Sequence, residues 1–453
     1  MNQEMNQETF ITPMTINKIT RHRIISVILC FVILGSMVPA ASAADYHQAD
    51  LKTISLSVNG KTFEAAAIDA SYEGNLYISL RSAAEALAGT DKQFNIYRNY
   101  TSYDGTYFAL EMGKEYAPLE LEYPSSEEGG LFLDLSRNRL FVDGSEKKYY
   151  SFVCGEPADI FLNITDLLLL LNIKAELEGD NLRLLPEEEF SVSAAELKES
   201  GLCSTMNSAL AGDAESGKIL FSTNPRTAYP IASLTKLMTY LLLAEAVEQG
   251  RVSFEDQVVI SEAVQKLSLS EDGIIPLEEG ESVPLEELTY AMLIASSNEA
   301  ALAIAEHVWG SEESFVEKMN ERAKELKLSS ALFYNCNGLP VIRQGIIPVK
   351  LQNKMCSADL FTLCSYLLEN YPEITDITAL QYARMEALDY TSANSNPLVF
   401  NMEDVTGLKT GNTKAAGQCL AACNKAGIIV IVLGAEDAST RGRAAQLLFK
   451  ALA

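Results

Sequence analysis

Between Ser233 and Gly250 the chain is apolar nearly all round, with Leu237, Met238, Leu241, Leu242, Leu243, Ala246 and Val247 leaving no polar stripe wide enough to face water. A helix of that kind is buried, so the fold has to place layers around it. Ser233 stands at its N-terminus, where unsatisfied backbone N–H groups point outward and the helix dipole favours developing negative charge. Lys236 follows one turn later. That spacing sets the ammonium beside the hydroxyl, and burial lowers a lysine pKa toward the range of a general base. Taken alone, the motif leaves a second reading open, in which Ser233 caps the helix and Lys236 reaches solvent.

Two further motifs follow in order. Leu288 to Ala295 is apolar and helical in pattern, and Glu299 to Val308 resumes a helix, so Ser296-Ser297-Asn298 reads as the break between them. Polar side chains in such a break project into a cleft. Ser296 can pass a proton to a leaving nitrogen, and Asn298 offers both a donor and an acceptor to a peptide-like amide. Lys409-Thr410-Gly411 ends a predicted strand beside Asn412 and Thr413. There a cation and a hydroxyl can hold a carboxylate, and glycine leaves room for a substrate backbone at the strand edge. A helix cap and a solvated turn remain the bland readings of these two motifs one at a time. The ordered set of three outlines an acyl-transfer site.

Charge and histidine content exclude other classes. The formal net charge of −26 repels phosphate backbones, so nucleic acid is not an expected partner. His22, His47 and His307 are the only histidines, too few for a Ser-His-Asp triad or a multi-histidine zinc site, and neither a metal nor a cofactor is expected.

The N-terminus carries Lys18, Arg21 and Arg23, the apolar run Ile24 to Val38, then Pro39 and Ala40-Ala41-Ser42-Ala43-Ala44. This is the pattern of a secretory signal over residues 1–43, cleaved after Ala43; the long stretch ahead of Lys18 keeps an uncleaved anchor open. Cys30 follows Leu29, so no lipoprotein site is read. The expected location is extracytoplasmic: secreted, or associated with wall or membrane. Export favours disulfides, yet seven cysteines remain after Ala43, an odd set. Cys419 and Cys423 fall on a predicted strand, where four residues span roughly 13 Å, beyond disulfide reach. Buried thiols are expected instead.

A pattern appears twice in residues 44–190. Leu56-Ser-Val-Asn59-Gly60 reads as a strand into a turn, followed by Tyr77-Ile-Ser-Leu80 and the helical Arg81 to Ala88. Leu140-Phe-Val-Asp143-Gly144, Ile160-Phe-Leu-Asn163 and Ile164 to Leu171 repeat it about 84 residues later. A duplicated β-β-α domain is expected, then a charged linker at 191–204 and a catalytic domain at 205–453. In the latter, strands near Ser208 and strands over Val405–Thr410, Gln418–Cys423 and Ile428–Leu433 flank a helical stretch. The expected class is α+β: one antiparallel sheet built from both ends of the domain, with a helical insert forming the far wall of a cleft.

From about Thr205 onward the chain resembles the serine-type D-alanyl-D-alanine carboxypeptidases, the low-molecular-mass penicillin-binding proteins. The resemblance rests on Asp213-Ala-Glu-Ser-Gly217-Lys218, Pro230-Ile-Ala-Ser233-Leu-Thr-Lys236-Leu-Met, Phe315-Val-Glu-Lys-Met-Asn320 and Gly407-Leu-Lys-Thr-Gly411. It implies a β-lactamase/transpeptidase-like fold and attack by Ser233 on the penultimate D-Ala carbonyl of a peptidoglycan stem peptide. Lys236 is then the base, Ser296 the proton relay, and Asn298, Lys409, Thr410, Gly411 and Asn412 bind substrate. The backbone N–H groups of Ser233 and Asn412 form the implied oxyanion hole. β-Lactams are implied covalent inhibitors. Glu299 departs from the family's usual Asp, and Asn337-Gly338-Leu339 from a common His-Gly-Leu; neither is expected in a core role. The chain ends about 42 residues after Gly411, so no C-terminal β domain or amphipathic membrane helix is expected. The N-terminal module resembles the small stalk-like domain named after the N-terminus of copper amine oxidases, which implies a spacer or wall contact and no copper. Rival functions are a serine β-lactamase, for which Glu317 is the candidate deacylating carboxylate, a peptidoglycan DD-endopeptidase, and a non-catalytic wall-binding protein.

Overall fold

The computed structural model describes residues 46–70, 75–101, 105–119, 131–134, 136–178, 181–343 and 349–452. The leader expected over residues 1–43 lies outside them. No helix among the described residues is long and apolar enough to cross a membrane.

Strand β1 (Tyr46–Val58) turns at Asn59-Gly60 into antiparallel β2 (Lys61–Ala70). Both turn residues have positive φ, 50° and 78°, the conformation that matches strand twist in a two-residue hairpin and that Asn-Gly adopts with little strain. β3 (Asn75–Ser79) pairs with β2 and runs into α1 (Leu80–Leu87), capped by the Ser79 hydroxyl. Further along, β4 (Tyr150–Cys154) pairs with β5 (Asp159–Asn163), which runs into α2 (Ile164–Leu171), capped by Asn163. β5 lies antiparallel to β3, so the two strand-to-helix corners sit side by side in one sheet.

Residues 191–204 are not a free tether. They hold α3 (Ala194–Glu199), whose Ser193 and Glu196 form a reciprocal capping box, with Leu197 fully buried. The charge that suggested a linker is that of one exposed helix face.

β6 (Ser208–Asp213) and β7 (Ile219–Thr223) open the second half. Then come α4 (Lys236–Glu248), α5 (Leu285–Tyr290), α6 (Asn298–Trp309), α7 (Glu312–Glu325) and the single-turn α8 (Leu398–Asn401). β8 (Val405–Thr413), β9 (Gly417–Asn424), β10 (Ile428–Ala435) and α9 (Ala438–Leu452) close the chain. The five strands form one antiparallel sheet in the order β7-β6-β10-β9-β8, joining the two ends of this half around the helices, as the α+β expectation required.

Alternation along β10 shows what the sheet separates. Ile429, Ile431 and Leu433 face a core with Leu237, Met238 and Leu241 of α4, which is buried all round. Val430 and Val432 face the other way, into a cluster that contains Leu447, Leu448 and Phe449 of α9 together with Ile164, Leu167 and Leu168 of α2. The N-terminal module therefore shares an apolar core with the back of the sheet. A buried ion pair, Asp166 of α2 with Arg443 of α9 at 3.6 Å, lies at the same junction.

Candidate active site

Ser233 lies in a tight helical turn, Ala232–Thr235, and α4 proper starts at Lys236, two residues later than the sequence pattern suggested. The reason lies just before it: Ala232 has φ 46°, a left-handed conformation that a β-carbon disfavours and that surrounding packing must hold. Two glycines make that packing possible. A β-carbon on Gly338, whose φ is +95°, would stand 2.0 Å from the Ala232 carbonyl oxygen, and one on Gly411 would stand 2.9 Å from the Ser233 nitrogen. Strand β8 thereby brings its backbone against the Ser233 amide.

Lys236 is fully buried. Its Nζ donates to Ser233 Oγ at 2.9 Å, Asn298 Oδ1 at 2.7 Å and the Asn337 carbonyl at 2.9 Å. Desolvation pulls its pKa down to about 7, against a smaller upward pull from the Cys336 and Glu299 side chains. The solvent-reaching lysine of the alternative reading is thus replaced by a buried amine on the serine hydroxyl.

The second motif forms the expected break. After α5 the chain widens through residues 291–295 and reverses at Ser296, φ 66°; Ser297 then caps α6 by accepting from the Ala300 amide at 2.9 Å. Ser296 lines the cleft. Asn298, besides accepting from Lys236, donates Nδ2 to the Asp272 carbonyl at 2.8 Å, which ties the helical wall to the 271–275 loop.

The third motif sits inside β8 rather than at a strand end, because pairing with β9 continues through Asn412↔Gln418 and Thr413↔Gly417. Lys409 is buried, its Nζ donates to the Thr410 carbonyl at 3.0 Å, and burial, then the charges of Lys236 and Arg441, push its pKa well below the usual lysine value. Thr410 Oγ1 donates to Ser395 Oγ at 2.8 Å.

Six of the eight residues expected from the sequence, Ser233, Ser296, Asn298, Thr410, Gly411 and Asn412, line one cleft of about 400 Å³. The other two, Lys236 and Lys409, lie buried behind it. The same cleft is lined by Glu271, Asp272, Ser395, Gln418, Arg441 and, from the N-terminal module, Tyr150, none of which the motifs indicated. Two expectations are corrected. Asn337 does enter the centre, through a backbone carbonyl that no side-chain pattern reveals. Glu299 is fully buried, and its Oε1 accepts from the Ile274 amide at 2.8 Å and from the Ile275 amide, holding the loop that forms one rim. A carboxylate beside that helix start was the available signal.

Other candidates fall away. Glu317 is exposed on α7 and does not line the cleft. His307 Nε2 lies 3.0 Å from Asp256 Oδ2, and neither residue lines the cleft. All seven described cysteines are free, five of them buried. Among the described residues no cluster of three metal-ligating side chains occurs.

A serine hydroxyl contacted by a neutralisable amine, opposite an Asn-bearing helix break and a Lys-Thr-Gly strand, brings together the groups that serine acyl transfer requires. The family model described as D-alanyl-D-alanine carboxypeptidase (peptidase S11) matches residues 196–437, and the chain belongs to that family. It is similar to the D-alanyl-D-alanine carboxypeptidase DacF of Bacillus subtilis, 35% identical over 251 residues, covering 54% of this chain and 61% of that protein. Similarity to DacC of Escherichia coli is 30% over 236 residues, covering 49% and 55%. The chain thus spans somewhat over half the length of these relatives. Among solved structures it is similar to the peptidoglycan synthesis regulatory factor PBP3 of Streptococcus pneumoniae, with a TM-score of 0.51 at 29% identity, covering 54% of this chain and 72% of that one.

Proposed function

We propose that the protein is an extracytoplasmic serine D-alanyl-D-alanine carboxypeptidase that releases the terminal D-Ala of peptidoglycan stem peptides and is acylated by β-lactams. The observation that carries this reading is the 2.9 Å contact between Lys236 Nζ and Ser233 Oγ, made by an amine whose pKa is lowered to about 7. In the neutral form Lys236 takes the hydroxyl proton as Oγ bonds to the penultimate D-Ala carbonyl carbon. The backbone N–H groups of Ser233 and Asn412 hold the resulting oxyanion. Collapse breaks the C–N bond, the departing amine takes a proton relayed through Ser296, and D-Ala leaves. Water, deprotonated by the same relay, then cleaves the ester and returns the proton to Ser233. The Thr410 hydroxyl, with Lys409 behind it, holds the terminal carboxylate, and Asn298 the amide of the acyl chain.

The location outside the membrane is where this substrate lies, and it is supported by the basic, apolar and small-residue order of Lys18 to Ala44. Contact of the N-terminal module with wall polymer belongs to the same proposal; co-sedimentation of the full chain with insoluble peptidoglycan tests it. The lactamase alternative loses its support with Glu317 exposed on α7 and absent from the cleft lining.

Fluorescent penicillin is expected to label the protein covalently and Ser233→Ala to abolish the label. Labelling that survives the substitution would sink the nucleophile assignment. Release of D-Ala from a D-Ala-D-Ala-ended tripeptide separates a carboxypeptidase from an idle binder, and slow loss of the penicillin adduct separates it from a lactamase.

A further inference from the structure

Tyr150 belongs to β4 of the N-terminal module, yet it lines the cleft that holds Ser233. Its position is fixed by the segment just before it. Lys148 N donates to Asn401 Oδ1 at 2.8 Å, Asn401 Nδ2 donates to the Lys148 carbonyl at 3.0 Å, and Lys147 Nζ donates to the Phe400 carbonyl at 3.2 Å. The Lys148 ammonium stands 3.7 Å from the centre of the Phe400 ring. Those partners sit on α8, which is itself tied to the Lys-Thr-Gly strand: Asn396 accepts from Leu398 N at 3.1 Å and donates Nδ2 to the Gly407 carbonyl at 3.1 Å, while Ser395 accepts from Thr410. A second tie, Asp166 with Arg443, joins the module to α9 within one turn of Arg441. The module is therefore a wall of the cleft, held in place by these ties.

Charge tells which end of the substrate meets that wall. Glu271 and Asp272, whose loop is tied to Asn298 of the helical wall, present exposed carboxylates to the cleft, whereas Arg441, which donates to Gln418 Oε1 at 3.0 Å, sits on α9, the helix tied to the module through Arg443. A free carboxylate on the substrate is repelled by the first rim and drawn to the second. The residue that leaves carries that carboxylate, so it lies toward Tyr150.

Building on the carboxypeptidase reading, we propose that Tyr150 is a specificity-determining residue contributed by the N-terminal module, limiting the leaving group to a single terminal amino acid. A stem peptide whose D-alanyl carbonyl is joined to the side-chain amine of a second stem peptide carries a far larger leaving group, and the half-buried phenol ring obstructs it. The wall thereby favours trimming of ends over cleavage of cross-links.

The test compares, for the full-length enzyme, D-Ala release from a D-Ala-D-Ala-ended tripeptide with cleavage of a purified cross-linked muropeptide dimer. Tyr150→Ala is expected to raise the ratio of dimer cleavage to D-Ala release by about tenfold or more, and Tyr150→Trp to leave it at or below the wild-type value. Taking a ratio within each variant cancels any loss of folded enzyme. A ratio unmoved by Tyr150→Ala, or raised equally by Tyr150→Trp, overturns the wall. A wild-type enzyme that takes up penicillin but releases no D-Ala from the tripeptide instead overturns the carboxypeptidase reading, and this inference with it.

Discussion

In the N-terminal module Arg81 and Asp159 are both buried and lie 3.8 Å apart, and Ser79 Oγ donates to the same carboxylate at 2.5 Å. In the catalytic half Lys236 is as deeply buried, but its three hydrogen bonds go to the neutral oxygens of Ser233, Asn298 and Asn337. The pair sets two buried charges against each other at the corner where β3 enters α1. The lysine is left without a contacting carboxylate, so desolvation favours its neutral form, the form the proposed base role requires. One half of the molecule buries its charge beside an opposite charge, the other buries an amine among neutral oxygens.

Substitution should separate the two arrangements. Lys236→Met is expected to lower the rate of penicillin acylation by about 10²–10⁴-fold, measured by stopped-flow fluorescence, while the melting temperature holds or rises because a desolvated amine has been removed. In the wild type the acylation rate should climb with pH through about 7 as Lys236 loses its proton, and a flat profile would remove Lys236 as the base. Asp159→Ala should do the reverse, destabilising by about 3–5 kcal/mol in urea unfolding because Arg81 stays buried without its partner. Similar stability losses in the two variants would break the comparison.

The junction between the halves supplies gentler tests. Burial raises the Asp166 carboxyl from 3.8 to about 6, with Arg443 opposing the shift. A folded-state pKa above the unfolded one means that the protonated form is favoured on folding, so this group's contribution to stability is complete below about pH 3.8 and is lost as pH rises through about 6. Asp166→Asn should flatten the melting temperature between those pH values; an unchanged slope would remove Asp166 as its source. Asn401→Ala, which deletes two hydrogen bonds to Lys148, should cost about 0.5–1.5 kcal/mol per bond and loosen Tyr150 without touching Ser233. Limited proteolysis near residue 148 would report that loosening.

Much of the site was readable because it is local. A serine and a lysine one turn apart on an all-apolar helix, a polar break between two helices and a Lys-Thr-Gly on a strand each impose their own geometry. The extent of β8 was underestimated because an unpaired strand pattern does not reveal how far its neighbour follows it. Asn337 acts through a carbonyl that every residue possesses, and Ser395, Arg441 and Tyr150 carry no motif spacing to Ser233.

By itself the sequence determined which segments become helix and strand, which faces are apolar, and which three polar motifs need a common cleft, since these follow from periodicity and side-chain chemistry within a few residues. Only the tertiary structure decided that residues 191–204 pack instead of tethering, that α2 and α9 bury one core, and that a tyrosine more than eighty residues ahead of Ser233 lines the same cleft. Such contacts depend on how faces of equal hydrophobicity are matched across the whole fold, and the apolar pattern that drives burial is non-directional about its partner.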